Sequence, residues 1–118
     1  MTAGPTRVLA VDLGGTKINA AVVVFEEGAA APSLCQVATT ATPARDGAKA
    51  VLAASLAVAR EALSLAGGDE ETLKAIGIAS AGVIDTARGL VTAATDALPG
   101  WPGTNLASVF RAEFGAHT

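Results

Sequence analysis

Two nearly continuous apolar runs open the chain, Val8-Leu9-Ala10-Val11 and Ile18 to Phe25, with the polar, glycine-rich stretch Asp12 to Lys17 between them. The continuous first run predicts a strand covered on both faces, and the second run is again β-prone. Gly14 and Gly15 tolerate positive φ, so they predict a tight reversal that makes the two runs a hairpin. Glu26-Glu27-Gly28 closes the second strand, and a third is expected over Leu34 to Thr39. Pro43 to Gly47 marks a loop and a helix start, with Asp46 as a candidate cap. Beyond it, Leu52, Leu56, Ala59, Leu63 and Ala66 recur at spacings of four, three, four and three. That rhythm is the 3.6-residue period of a helix with one buried stripe. Gly67 and Gly68 stop it.

The second half of the chain is more broken. Leu73 to Ala79 predicts another strand, with Gly77 allowing close backbone approach. "SAGVIDTARGLV", residues 80–91, reads as a loop feeding a short hairpin that reverses over Asp85 to Gly89. "ALPGWPG", residues 97–103, is a rigid, irregular loop. Asn105 is placed to cap a last helix from Leu106 to Phe114, with Gly115 as its stop. No internal repeat or heptad is present. A long helix after three strands predicts a layered α/β domain rather than a bundle.

Composition sharpens this picture. A chain of 118 residues suits one domain and buries roughly two thirds of its extended surface. Apolar residues make up 51% and aromatics only 3%, so Ala, Val and Leu must pack thin, closely approaching layers. So apolar a balance leaves room for surface that belongs against something outside this chain. The net charge is -3 and no Lys/Arg cluster occurs, which argues against a nucleic-acid backbone binder. Small polyanions stay open, because backbone N–H groups bind them without side-chain charge. Cys35 is the sole cysteine, so no intrachain disulfide or Cys-based metal cluster can form, and it reads as a small buried hydrophobe. Residues 1–6 read as a polar, disordered leader, not a targeting segment. The longest apolar runs are too short to span a bilayer, so the expected compartment is the cytoplasm, with no membrane partner.

Candidate chemistry gathers after the first strand. Asp12 sits just past a buried strand, where ligands commonly bind in the crevice at strand ends. Two readings of "DLGGT" stand at this point. In one, Asp12 accepts the N–H groups of a tight hairpin. In the other, the glycines turn successive N–H groups toward a phosphate, Thr16 adds a hydroxyl, and a divalent cation offsets the Asp12 charge, which would be expensive if buried alone. Neither the GxxxxGK[ST] nor the GxGxxG phosphate loop is present.

A family resemblance bears on the choice. "AVDLGGTKINAAVV" is similar to the first phosphate motif of the ROK sugar kinases, within the actin/hexokinase-like ATPase superfamily. "IGIASAGVIDTARGLVTAATDALPGWPGTNLASVF" resembles the family again, so the likeness runs over nearly the whole chain. It implies an α/β fold of the ribonuclease H-like, actin-like ATPase type, a mixed β-sheet with flanking helices. It further implies that ATP and Mg²⁺ are cofactors. Asp12 would approach the metal through water, and Gly14, Gly15, Thr16 and Lys17 would form the phosphate-facing turn. Lys17 keeps two readings, phosphate contact or solvent-facing hairpin residue.

The same resemblance places the loops around Ser80 to Val83 and Pro99 to Trp101 near a sugar, with Gly82 and Val83 as substrate-side residues. Where the family commonly carries Pro-Gly, this chain has Ala81-Gly82, which loosens that loop. A strand-to-loop bend is the other reading of Gly82. Trp101 has two readings, a packing anchor, which is favoured, or a wall of the sugar pocket; Asn105 reads as a helix cap, and Asp85 and Asp96 as turn residues. His117 reads as terminal sequence.

The family's general-base aspartate lies in an Asn-Asp pair on a strand following the helix matched by Leu106 to Phe114, and Thr118 precedes any such strand. Its later sugar-contacting residues, a zinc-binding His/Cys cluster and the adenosine-binding lobe lie further on. Residues 7–118 are therefore expected to be the N-terminal, sugar-side lobe of a two-domain kinase, carrying no catalytic base and inactive alone. The parent activity implied is ATP-dependent phosphorylation of a hexose, with glucose ahead of N-acetylmannosamine or fructose, by a homodimer. A sugar-responsive repressor of the same family is the alternative, and so is a noncatalytic interaction or oligomerisation module. Family repressors usually carry a helix-turn-helix domain before the phosphate motif, and only seven residues precede Val8.

Overall fold

The computed structural model describes residues 5–67, 73–80, 83–85, 87–93, 101 and 103–115, with the side chains of 83, 92 and 93 left aside. The Asp12–Lys17 interruption makes a long hairpin, β1 (Thr6–Leu13) and β2 (Lys17–Phe25), paired antiparallel from Thr6↔Phe25 to Leu13↔Ile18. Two short strands, β3 (Ser33–Leu34) and β4 (Ala38–Ala41), share the far side of β2. A 3₁₀ turn (Ala44–Asp46) leads into the helix α1 (Ala48–Leu65). The chain then returns as β5 (Leu73–Ser80), parallel to β1 from Val8↔Ala75 to Leu13↔Ser80. A small ribbon follows, β6 (Val83–Asp85) with β7 (Leu90–Ala93), and then helix α2 (Leu106–Phe114).

Register fixes the two faces of the sheet, because side chains alternate along each strand. Leu9, Val11 and Leu13 stand beside Val22, Ala20 and Ile18, and all six are buried in the core that α1 covers. Val8, Ala10 and Asp12 share the opposite face with Val23, Ala21 and Asn19 of β2 and with Ala75, Gly77 and Ala79 of β5. One hairpin thus carries both a core wall and a small-residue outer surface.

Several expectations need correction. The single third strand over Leu34 to Thr39 is two strands, broken at Cys35-Gln36-Val37, where Cys35 N–H bonds the Val22 carbonyl at 2.9 Å. Cys35 itself is half-buried against the core. Asp46 does not cap α1; the N-cap is Gly47, and no side-chain cap bond forms. The helix stripe is also turned by one position. Its buried residues are Val51, Ser55, Val58, Ala59, Ala62 and Leu63, while Leu52, Leu56 and Ala66 are only partly covered. Ser55 hides that phase in the sequence. Its hydroxyl donates to the Val51 carbonyl at 2.7 Å, so a polar residue sits in the stripe with its hydrogen bond made.

The ends of the helices explain how the layers lock. Arg7 donates from Nη2 to the Ala66 carbonyl, tying the start of β1 to the end of α1. Asn105 Oδ1 accepts from Ser108 N–H at 2.9 Å, the expected cap, and Gly115 N–H returns to the Arg111 carbonyl at 2.8 Å. Arg60 of α1 donates through Nε to Glu113 of α2 at 2.7 Å and lies 5.2 Å from the centre of the Phe114 ring. Among the described residues, no helix is long and apolar enough to cross a membrane.

Candidate functional site

The reversal after β1 is three residues, Gly14-Gly15-Thr16, and it is pinned from two sides. Gly14 N–H donates to the Lys17 carbonyl at 3.0 Å, closing the hairpin from within. From outside, the Thr42 hydroxyl donates to the Gly14 carbonyl at 2.8 Å and Thr42 N–H donates to the Thr16 carbonyl at 2.9 Å. The turn is therefore a fixed platform, held by the segment that follows β4.

Why glycine is needed here differs from expectation. Neither Gly14 nor Gly15 is among the described glycines with positive φ. A Cβ on Gly14 would lie 2.9 Å from the Lys17 carbonyl oxygen, closer than such contacts normally come. Close backbone approach, not left-handed geometry, excludes a side chain. Thr42 was not legible as a site residue. Its only sequence signal is a hydroxyl residue just before Pro43, a position that favours extended backbone.

Asp12 stands one residue before the end of β1, flanked by Asn19 across the hairpin and Ala79 across the parallel pair. This is the carboxyl end of two adjacent parallel strands. Its side chain is exposed, and among the described residues no hydrogen bond or ion pair occupies its carboxylate. The reading in which Asp12 is consumed by turn amides is thus not what the fold contains. Asp12 lines an open concavity of about 420 Å³ with Ala10, Asn19, Val37, Gly77 and Ala79.

Gly15 and Thr16 line a different concavity, of about 500 Å³, with Thr42, Pro43, Arg45 and Asp46. The structure therefore brings the turn together with the Thr42–Asp46 segment and leaves Asp12 on the outer sheet face. Lys17 is exposed, and strand alternation puts it on that outer face with Asn19; it lines neither concavity. Among the described residues no group of three or more His, Cys, Asp or Glu forms a metal cage.

Trp101 is 0% exposed and its Nε1 donates to Ser80 Oγ at 3.1 Å. That is the anchor expected of it. Ser80 is the last residue of β5 and pairs with Leu13, so the indole is fastened beside the end of β1. Asp85 serves its turn, accepting from Ala87 N–H at 3.2 Å and Arg88 N–H at 3.3 Å. Val83 lies in β6 opposite Ala93, while Gly82, Asp96, Pro99, Gly100 and His117 fall outside the described residues.

No protein-family model and no curated protein matches the chain. Solved structures do. A ROK family glucokinase from Streptomyces griseus, solved with glucose and AMPPNP, is 32% identical with a TM-score of 0.67; the match covers 97% of this chain and 31% of that one. An inorganic polyphosphate/ATP-glucomannokinase from Arthrobacter sp. strain KM is 21% identical with a TM-score of 0.68, over 95% of this chain and 42% of that one. A hexokinase from Schistosoma mansoni, complexed with glucose, is 22% identical with a TM-score of 0.70, over 94% of this chain and 26% of that one. The chain has the actin/hexokinase-like α/β fold, a mixed sheet with flanking helices. Within that fold the chain is similar to a ROK family glucokinase, at 32% identity. It spans 31% of the length of the glucokinase and less than half of the other two.

Proposed function

We propose that residues 7–118 are the N-terminal lobe of an ATP-dependent hexose kinase, with glucose as the preferred acceptor, and that this lobe holds the donor phosphates. One observation carries the reading. An uncommitted carboxylate, Asp12, stands two residues before a pinned glycine turn at the carboxyl end of adjacent parallel strands.

The donor set fits magnesium held mainly by phosphate oxygens and water, since Mg²⁺ keeps several waters and takes only one or two carboxylates. Asp12 would supply that single carboxylate, approaching the metal through water. The ion, when bound, supplies neutralisation of charge on the transferring phosphoryl group. Gly14, Gly15 and Thr16 would orient the phosphates through N–H groups and the Thr16 hydroxyl, and Thr42 would keep that turn from shifting. Lys17 would add charge from the hairpin flank. On the acceptor side, Gly82 and Val83 would lie along the sugar, with the Ser80–Trp101 bond holding β5 and the Trp101 loop together. The proton of the attacking hydroxyl needs a base within hydrogen-bond reach, which this reading assigns to an aspartate on a strand following α2 in a two-lobed, dimeric enzyme.

Titration of the 118-residue chain with AMPPNP, with and without Mg²⁺, checks the donor half by following the amide signals of Gly14, Gly15 and Thr16. Metal-dependent shifts at the turn are expected, and their absence refutes the assignment. Incubation of the same chain with ATP and hexoses should give no sugar phosphate; turnover comparable to an intact kinase would refute the lobe assignment.

A further inference from the structure

The segment after β4 does more than brace the turn. Its 3₁₀ turn, Ala44–Asp46, forms the second wall of the concavity of about 500 Å³ whose first wall is Gly15 and Thr16. That volume falls within the range of small-molecule sites. The wall is fixed: Thr42 is bonded to both Gly14 and Thr16, and Asp46 N–H closes the turn on the Pro43 carbonyl at 3.0 Å. Arg45 projects from this wall as the cation lining the concavity, is exposed, and has no ion-pair partner among the described residues. Asp46 lines the same space and is its one carboxylate among the described residues.

We propose that Arg45 is a donor-specificity residue, giving a charge-assisted contact to a linear phosphoanhydride chain that runs from the Gly14–Thr16 turn into this concavity. The proposal rests on the donor-phosphate reading given above. A guanidinium is suited to the task because its planar fork matches phosphate oxygens and stays charged at any working pH. Asp46 sets the counterweight. It opposes an anion in the same space, so the two adjacent side chains should act with opposite sign.

The test uses the 118-residue chain, titrated at low salt with inorganic tripolyphosphate and, separately, with Mg²⁺ and AMPPNP, reading the Gly15 and Thr16 amide signals. Arg45→Gln should weaken binding about threefold to fivefold, as an exposed charge contact would. Arg45→Lys should fall between, and Asp46→Asn should tighten binding. All three effects should shrink in about 0.5 M salt, where screening is strong. A loss with tripolyphosphate and AMPPNP alike assigns Arg45 to phosphates common to both; a loss with only one identifies which donor reaches it. Unchanged binding of R45Q to both, with the wild-type turn still responding, overturns the proposal and leaves the donor site standing. No response at Gly15 and Thr16 in the wild type overturns both readings.

Discussion

Thr42 reaches Gly14 across 28 positions of sequence, its hydroxyl donating to that carbonyl at 2.8 Å. With the N–H bond from Thr42 to Thr16, this makes one residue the clamp of the whole reversal. Thr42→Val keeps the shape and the backbone bond but removes the hydroxyl. It should lower stability by about 1 kcal/mol, the net worth of one such bond, and speed exchange of the Gly14 amide, which is bonded to the Lys17 carbonyl. Thr42→Ser should restore both. Urea unfolding and hydrogen exchange check this; an unchanged exchange rate at Gly14 would count against the clamp.

Asp12 separates stability from binding. Its side chain is exposed and uncommitted, so Asp12→Asn should change folding stability by less than about 0.5 kcal/mol. Binding of AMPPNP in the presence of Mg²⁺ should weaken about tenfold, the scale of one hydrogen bond to a charged group. Calorimetry with and without the metal tests this. Equal metal dependence in both proteins would remove Asp12 from the donor site.

The Trp101 indole is buried with Ser80 as its acceptor. Ser80→Ala leaves that N–H unsatisfied and should cost about 1–3 kcal/mol. Because Trp101 is the only tryptophan, its own fluorescence reports the unfolding midpoint. A midpoint equal to wild type would mean the bond is not made in solution.

Gly89 has φ 67°, and a Cβ there would lie 2.2 Å from Ala107 Cβ at the first turn of α2. Its carbonyl accepts from Leu106 N–H at 2.8 Å, so the backbone cannot retreat without losing the helix start. Gly89→Ala should therefore destabilise by about 2–4 kcal/mol, combining overpacking with left-handed strain. Adding Ala107→Gly relieves the clash but not the strain. A double-mutant cycle by thermal melting should show partial recovery.

Much of this molecule is written locally. The β1–β2 hairpin, the β5 strand, the Asp85 turn and the Asn105 cap all follow from apolar runs and turn residues close together in sequence, and the structure contains each. The misses arise where a distant partner decides. The phase of α1 depends on which side meets the sheet, and Ser55 satisfies itself there so that a polar residue faces the core. The break between β3 and β4 depends on how the chain bonds back to Val22. Thr42 becomes part of the candidate site only through a contact across 28 positions, which no local pattern announces.

Val8 has two neighbours of very different origin: Val23, a short reversal away, and Ala75, on the far side of a long crossover. Short closures form fast and distant ones slowly. As the polypeptide leaves the ribosome, one edge of β1 is satisfied almost at once, while the other stays raw until Leu73–Ser80 arrives. During that interval the half-finished sheet offers a sticky margin to any other emerging chain, a hazard common to slowly completed strands. Prompt docking of α1 and β5 would decide the yield of soluble protein.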